Sequence, residues 1–263
     1  MLNYKRIKPN LSNKFSSFLR SINALIIQTY LDQEGRLTFG YFFTILRPLL
    51  STLLVRLVLR AFSNGLSLED AVQLFLFPAA IFFLIRELIG TSTYLDNRKI
   101  ILYLPNVNYF SLVLANCIST LLIYSPIFLL CLGISSYQNY DFDLVRYLEL
   151  VLIGALLGLA YQLLVSIIIF ENKFLITLHS YVPISLLFLS CVFFPLDSLP
   201  KEIQYYFLFN PMVHILEEVR TLFTFNRVDG VSLNYVFKFI GSIFIMILPV
   251  YFFKVQYILR RFI

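Results

Sequence analysis

Tryptophan is absent from this chain, cysteine occurs three times, and only 14% of the residues are charged. Each scarcity excludes something. About a quarter of the residues in a soluble domain carry charge, whereas 59% of this chain is hydrophobic. An ordinary soluble domain is therefore excluded. Cys117, Cys131 and Cys191 all lie in apolar runs, with no C-x-x-C and no Cys/His spacing. That argues against a disulfide framework or a metal site and makes them small core residues. No G-x-x-x-x-G-K-[ST] occurs, so the chain supplies no P-loop ATPase of its own. H-E-x-x-H and G-x-S-x-G are missing too, and His179 and His214 fall in different connecting segments. No catalytic residue and no cofactor site is assigned to this chain.

What remains reads as an all-α polytopic membrane protein. A helix needs about 20 residues to cross the hydrocarbon core, and six hydrophobic blocks are candidates: roughly 38–62, 72–93, 109–133, 144–170, 181–196 and 236–258. The fifth, 181–196, is short. The loop cations sit in the amino-terminal segment, in 94–108 (Arg98, Lys99), in 171–180 (Lys173) and in the tail (Arg260, Arg261). The loops at 63–71 and 134–143 carry no Lys or Arg. Positive-inside counting then predicts six spans with both termini cytoplasmic. The formal net charge of +6 is explained by this topology, and nucleic acid is not an expected partner.

Residues 1–35 form a basic cytoplasmic segment, and 36–263 the six-span domain. Phe15, Phe18, Leu19, Ile22, Leu25 and Ile26 recur at helical spacing, which predicts an amphipathic helix lying on the membrane lipids. The run 21–31 contains Asn23 and Gln28 and lacks a small-x-small site, unlike a signal peptide. At the junction RLTFGYFFTILRPL, residues 36–49, Gly40 permits a sharp turn and the aromatic rings suit the headgroup layer. There the interfacial helix is expected to turn into the first span. After the fifth span, Pro200 and the Asn210–Pro211 pair are helix-start signals. They predict two short outer-side helices, about 200–208 and 211–223. His214 stands three and four residues before Glu217 and Glu218, and Glu217 three before Arg220, so side-chain pairing among these four is expected.

Charges inside the blocks mark the substrate-path candidates Arg47, Arg56, Arg60, Arg86 and Glu87. A buried arginine is costly in a bilayer and usually faces protein or water. The bland alternatives are that Arg60 snorkels to the headgroups, that Arg47 pairs with Glu87, and that Arg146 and Glu149 neutralise one another. The loop YLDNRKIILYLPNVN, 94–108, can form a short helix from Asp96 to Pro105, with Ile100, Ile101 and Leu104 beside Asn97, Arg98 and Lys99. Such a helix can dock in a partner's groove or simply anchor to headgroups. Gly154-x-x-x-Gly158 permits close helix packing, within the subunit or across a dimer. The 28 Phe and 17 Tyr read as packing and interfacial anchors rather than a sugar track.

Three stretches together resemble the permease subunits of type-2 ABC exporters, and among them the capsular-polysaccharide export permeases of Gram-negative bacteria. They are the junction, at Arg36, Phe39, Gly40, Tyr41 and Pro48; PNVNYFSLVLAN at 105–116; and NPMVHILEEVR, at Asn210, Pro211, His214, Glu217 and Arg220. The chain departs from the family pattern at Phe43, where Trp is frequent, and at Arg47, where an acidic residue is. The resemblance implies an inner-membrane homodimer joined to two copies of a separate P-loop ATPase, which holds the ATP and Mg. It makes about 94–105 the coupling helix, with Asp96, Asn97, Arg98, Lys99, Ile100, Ile101, Leu104 and Pro105 as its residues. A lipid-linked acidic polysaccharide is the implied cargo, and periplasmic and outer-membrane export proteins are the implied onward partners. Export of another lipid-linked glycan (O-antigen or teichoic-acid type) or of a smaller molecule, a membrane-embedded transferase on a lipid-linked substrate, and an ion-coupled carrier are the alternatives. None of them has a motif of its own here.

Overall fold

The computed structural model describes residues 19–29, scattered positions between 46 and 54 (46, 49–51, 53 and 54), and 72–91, 109–137, 143–169, 173–224 and 228–261. The described residues form helices and turns, with no strand among them. Residues 19–29 form helix α1, on which Ile22, Leu25 and Thr29 are buried while Leu19 and Ile27 are exposed. The amphipathic pattern thus produces a helix with one face packed inward.

A π-helical turn, Val72–Leu76, leads into α2, Phe77–Gly90. The second hydrophobic block is therefore not one uniform helix. Pro78 lies in the first turn of α2, where its fixed φ is tolerated. Its missing N–H would have served the carbonyl of Leu74 in an α-helix, so the helix changes type there. Phe77 to Ile85, Leu88 and Ile89 are buried, and α2 is the central helix. It packs against α3 (Tyr109–Tyr137), α4 (Leu144–Ile169), α6 (Val182–Leu189) and α8 (Pro211–Thr224). Pro126 interrupts α3 and deprives Leu122 of its helical donor. The hydroxyl of Ser125 donates to that carbonyl at 2.7 Å, so the helix continues.

The fifth block corrects the sequence reading. Instead of a loop at 171–180 and one helix at 181–196, helix α5 runs from Lys173 to Ser180 and α6 from Val182 to Leu189. A break at Tyr181 separates them, and Pro183 falls in the first turn of α6. The chain then leaves the helix at Ser190 and passes Cys191 at a φ of 52°. It turns back through buried Val192 and Leu196 into α7, Lys201–Phe207, and α8. The two short helices stand close to where Pro200 and Asn210–Pro211 place them. Helix α9, Leu233–Arg261, buries Val236, Ile240, Ile243 and Ile247 at helical spacing against α4 and α8.

Two helices, over Phe110–Ser135 (26 residues) and Leu144–Val165 (22 residues), have the length and apolarity to cross a membrane. Thr177–Leu189, which runs across the turn at Tyr181, and Leu233–Pro249 within α9 are shorter apolar stretches. The first expected span, 38–62, lies outside the described residues apart from those scattered positions. The helices α2, α4 and α9 start at the end of the bundle where α8 lies, and α3 and the α5–α6 run arrive there. This alternation follows from side-chain bonds at each end: Arg220 reaches Leu74 and Arg146 reaches Glu218 at one, whereas Asn116 and Gln162 reach Thr91 at the other.

Gly154 and Gly158 pack within the subunit. A Cβ on Gly158 would lie 2.6 Å from Leu88 Cδ1 and 2.8 Å from Leu88 Cβ, and one on Gly154 would lie 3.1 Å from Ile81 Cγ2. The small residues let α4 approach α2 closely.

Candidate functional site

The motif at 210–220 becomes a buried tie. Asn210 caps α8: its Oδ1 accepts from the Met212 N–H at 3.0 Å, as its position before Pro211 predicts. Its amide reaches further, donating to Leu189 O at 2.9 Å and to Ser190 Oγ at 3.2 Å. A helix leaves its last carbonyls without internal donors, and Asn210 serves one of them at the end of α6.

Arg220 serves carbonyls outside α6. Its Nε donates to Leu74 O at 3.0 Å, the carbonyl that Pro78 leaves without an α-helical donor. One terminal nitrogen donates to Cys191 O at 2.6 Å and Val192 O at 3.0 Å. The other pairs with Glu217 Oε1 at 2.5 Å. Glu217 in turn accepts the Leu196 N–H at 2.8 Å. Both side chains of the pair are 3% exposed, so the charges survive burial only because each is paired and hydrogen-bonded. The positive φ of Cys191 turns the carbonyls of 191 and 192 toward the guanidinium. One fork thus joins α8, the end of α6 and the entry to α2, and its planar shape is what reaches acceptors in several directions.

The expected pairing of Glu217 with Arg220 is therefore present, but that of His214 with the glutamates is corrected. His214 Nε2 lies 2.8 Å from Leu208 O, which can only accept, and the Ser232 N–H donates to Nδ1 at 3.1 Å. The ring is thus neutral, with its proton on Nε2. Burial pushes its pKa below the ordinary value, against the opposing pull of the Leu208 carbonyl and the Glu218 carboxylate. Its ring packs on Tyr235, centroids 4.7 Å apart. Arg146 pairs with Glu149 at 2.6 Å, as expected, and also faces buried Glu218 at 3.7 Å. Asp143 caps α4 by accepting the Arg146 N–H at 3.0 Å.

Among the remaining candidates, Arg86 lies over the Phe83 ring, 5.7 Å from its centroid, and Glu87 is half-buried beside it. The structure brings neither of them into the tie. Arg36, Gly40, Tyr41, Arg47, Pro48, Arg56 and Arg60 lie outside the described residues, as do Asp96, Asn97, Arg98, Lys99, Ile100, Ile101, Leu104 and Pro105. The three cysteines are free and buried. No group of three His, Cys, Asp or Glu residues suited to a metal occurs among the described residues. The tie spends its charge on the chain itself, so it holds elements in place and performs no bond chemistry.

Sequence reading missed two features. One is the link between Pro78 and Arg220; its signal was a proline near the start of an apolar block. The other is a polar group of Thr91, Asn116, Gln162 and His179, whose signal was amide side chains inside apolar helices.

Long apolar helices with their polar side chains bonded to one another and to backbone carbonyls are consistent with a helical membrane protein. No family model matches the chain. It is 28% identical over 228 residues to the polysialic acid transport protein KpsM of Escherichia coli, covering 83% of this chain and 87% of that protein. A second Escherichia coli protein of the same name is 27% identical over 226 residues, with the same coverage. The chain is similar to capsular-polysaccharide export permeases, as its three motif stretches indicated.

Proposed function

We propose that this chain is the inner-membrane permease subunit of an ATP-driven ABC exporter that moves capsular polysaccharide from cytoplasm to periplasm. The observation that carries the reading is likeness to a polysialic acid transport protein across nearly the whole of both chains. The chain has no phosphate-binding loop, so ATP and Mg belong to a separate P-loop ATPase, present in two copies beside a homodimer of this subunit. Residues 94–105 form the coupling helix received by that ATPase, with Arg98 and Lys99 beside an apolar patch. Six spans place both termini in the cytoplasm and α7 and α8 on the outer side. The cargo is a lipid-linked acidic polymer, for which Arg47, Arg56, Arg60 and Arg86 are path candidates. Periplasmic and outer-membrane proteins carry the polymer onward.

Mechanically, the chain's own residues bind and orient; they break no covalent bond. Closure of the ATPase subunits on ATP moves the 94–105 segment, and the helices attached to it rock to let the polymer pass outward.

The test is where glycan accumulates when the gene is deleted from its native cell. Full-length lipid-linked polymer trapped in the cytoplasm, with none on the surface, is the expected result. Normal surface polymer refutes the capsule assignment. Truncated or missing polymer refutes export and points to synthesis.

A further inference from the structure

At the end of α2 opposite the Arg220 tie stands a second polar cluster, of whose members only Asn116 falls in one of the three motif stretches. Thr91, which caps α2, donates its hydroxyl to Leu88 O at 3.1 Å. The same oxygen accepts from Asn116 Nδ2 of α3 and from Gln162 Nε2 of α4, each at 2.8 Å. Gln162 Nε2 also donates to Leu88 O at 2.5 Å. The neighbouring carbonyl, Ile89 O, lies 3.1 Å from His179 Nε2 of α5. Since a carbonyl only accepts, Nε2 carries the proton and Nδ1 accepts from Tyr161 Oη at 3.3 Å. Carbonyls in the last turn of α2 are thus reached by side chains of α4 and α5. Thr91, Asn116, Gln162 and His179 are all buried.

This cluster is a poor device for stability. Gln162 Oε1 is buried without a hydrogen-bond partner among the described residues, and an orphaned acceptor costs free energy that apolar packing would avoid. What the cluster does supply is a fixed geometry, because Asn116, Gln162 and His179 each bond to a carbonyl of α2 or to the hydroxyl that caps α2. One helical turn before Gln162, Gly158 brings the α4 backbone against Leu88. At the far end Arg220 holds Leu74 O. Seventeen residues of helix separate Leu74 from Thr91, about 25 Å at 1.5 Å per residue, and nearly all of that length is buried.

We propose that α2 is a rigid connecting rod, and that Thr91, Asn116, Gln162 and His179 are positioning residues that clamp it to α3, α4 and α5. A displacement of the segment that follows Thr91 then moves the clamped helices and, through Arg220, the α8 end together, instead of bending the chain at residue 91. The transport consequence rests on the permease reading; the mechanical one does not.

Thr91→Val removes the hydroxyl at nearly constant volume, and Thr91→Ser restores it. In the purified full-length chain, Thr91→Val is expected to raise amide hydrogen exchange at least fivefold both around 84–91 and within 211–224, about 25 Å away, with Thr91→Ser close to wild type. An increase confined to the surroundings of Thr91 overturns the rod, whatever transport does. In cells, Gln162→Leu and Thr91→Val are expected to leave ATPase co-purification and ATP hydrolysis within twofold of wild type while extractable surface polysaccharide falls at least tenfold. Hydrolysis and export falling in parallel, or export tracking the amount of protein in the membrane, overturns the coupling role. If the wild-type chain binds no ATPase, the permease reading fails, and the exchange experiment still decides the rod.

Discussion

Replacing Arg220 by Met removes four bonds at once while keeping most of the side-chain volume. Glu217 is left as a buried carboxylate with the Leu196 N–H as its remaining partner among the described residues. The carbonyls of Leu74, Cys191 and Val192 lose the donor that serves them. Removing one partner of a buried ion pair costs roughly 3–5 kcal/mol. For a chain of this size that corresponds to a fall in Tm of roughly 6–20 °C. Arg220→Lys is expected to fall between, because a point charge on a flexible stem cannot engage acceptors in three directions. The double variant Glu217→Met/Arg220→Met is expected to lose less than the sum of the single ones, since it leaves no unpaired buried charge. The three buried cysteines supply the assay. A thiol-reactive dye added to the full-length protein in detergent reports their exposure as the chain is heated. Arg220→Met melting within about 2 °C of wild type, or strictly additive single and double variants, would refute the tie.

Two further perturbations test the packing and the histidine. Gly158→Ala puts a Cβ against Leu88 and is expected to cost about 1–3 kcal/mol of overpacking, with Gly154→Ala milder because the nearest atom to its Cβ is 3.1 Å away rather than 2.6 Å; equal melting of both variants and wild type would show that α4 does not approach α2 this closely. His214 is held neutral, with a folded pKa below the ordinary value, so the unfolded chain takes up its proton first as pH falls. Its contribution is complete above about pH 6.5 and is lost below that, until the lowered folded value is reached. Melting from pH 8 to 5 is expected to show this loss in wild type and less of it in His214→Asn; identical pH profiles would exclude His214 as its source.

The sequence alone was enough for the membrane class, the helix starts at Pro200 and Pro211, the cap at Asn210, and the pairs Glu217–Arg220 and Arg146–Glu149. All of these depend on neighbours within a few residues, where hydropathy, proline geometry and helical spacing act directly. The break at Tyr181 and the end of α6 at Leu189 were not legible in the same way. Hydropathy runs on smoothly through 181–196, and the helix can stop there because Asn210 serves the carbonyl of Leu189 and Arg220 those of Cys191 and Val192 in the turn that follows.

Only the tertiary structure decided where the long-range bonds go. Arg220 meets Leu74 across 146 residues, Gln162 meets Leu88 across 74, and His179 meets Ile89 across 90. It likewise turned His214 away from the glutamates toward the backbone of 208 and 232, and it gave Gly154 and Gly158 to α2. The physical reason is common to all of them. A buried donor must find an acceptor, but in an apolar core the free acceptors are backbone carbonyls at helix ends and before prolines. Every residue type carries such a carbonyl, so which one is left free, and which side chain reaches it, is set by how the helices pack.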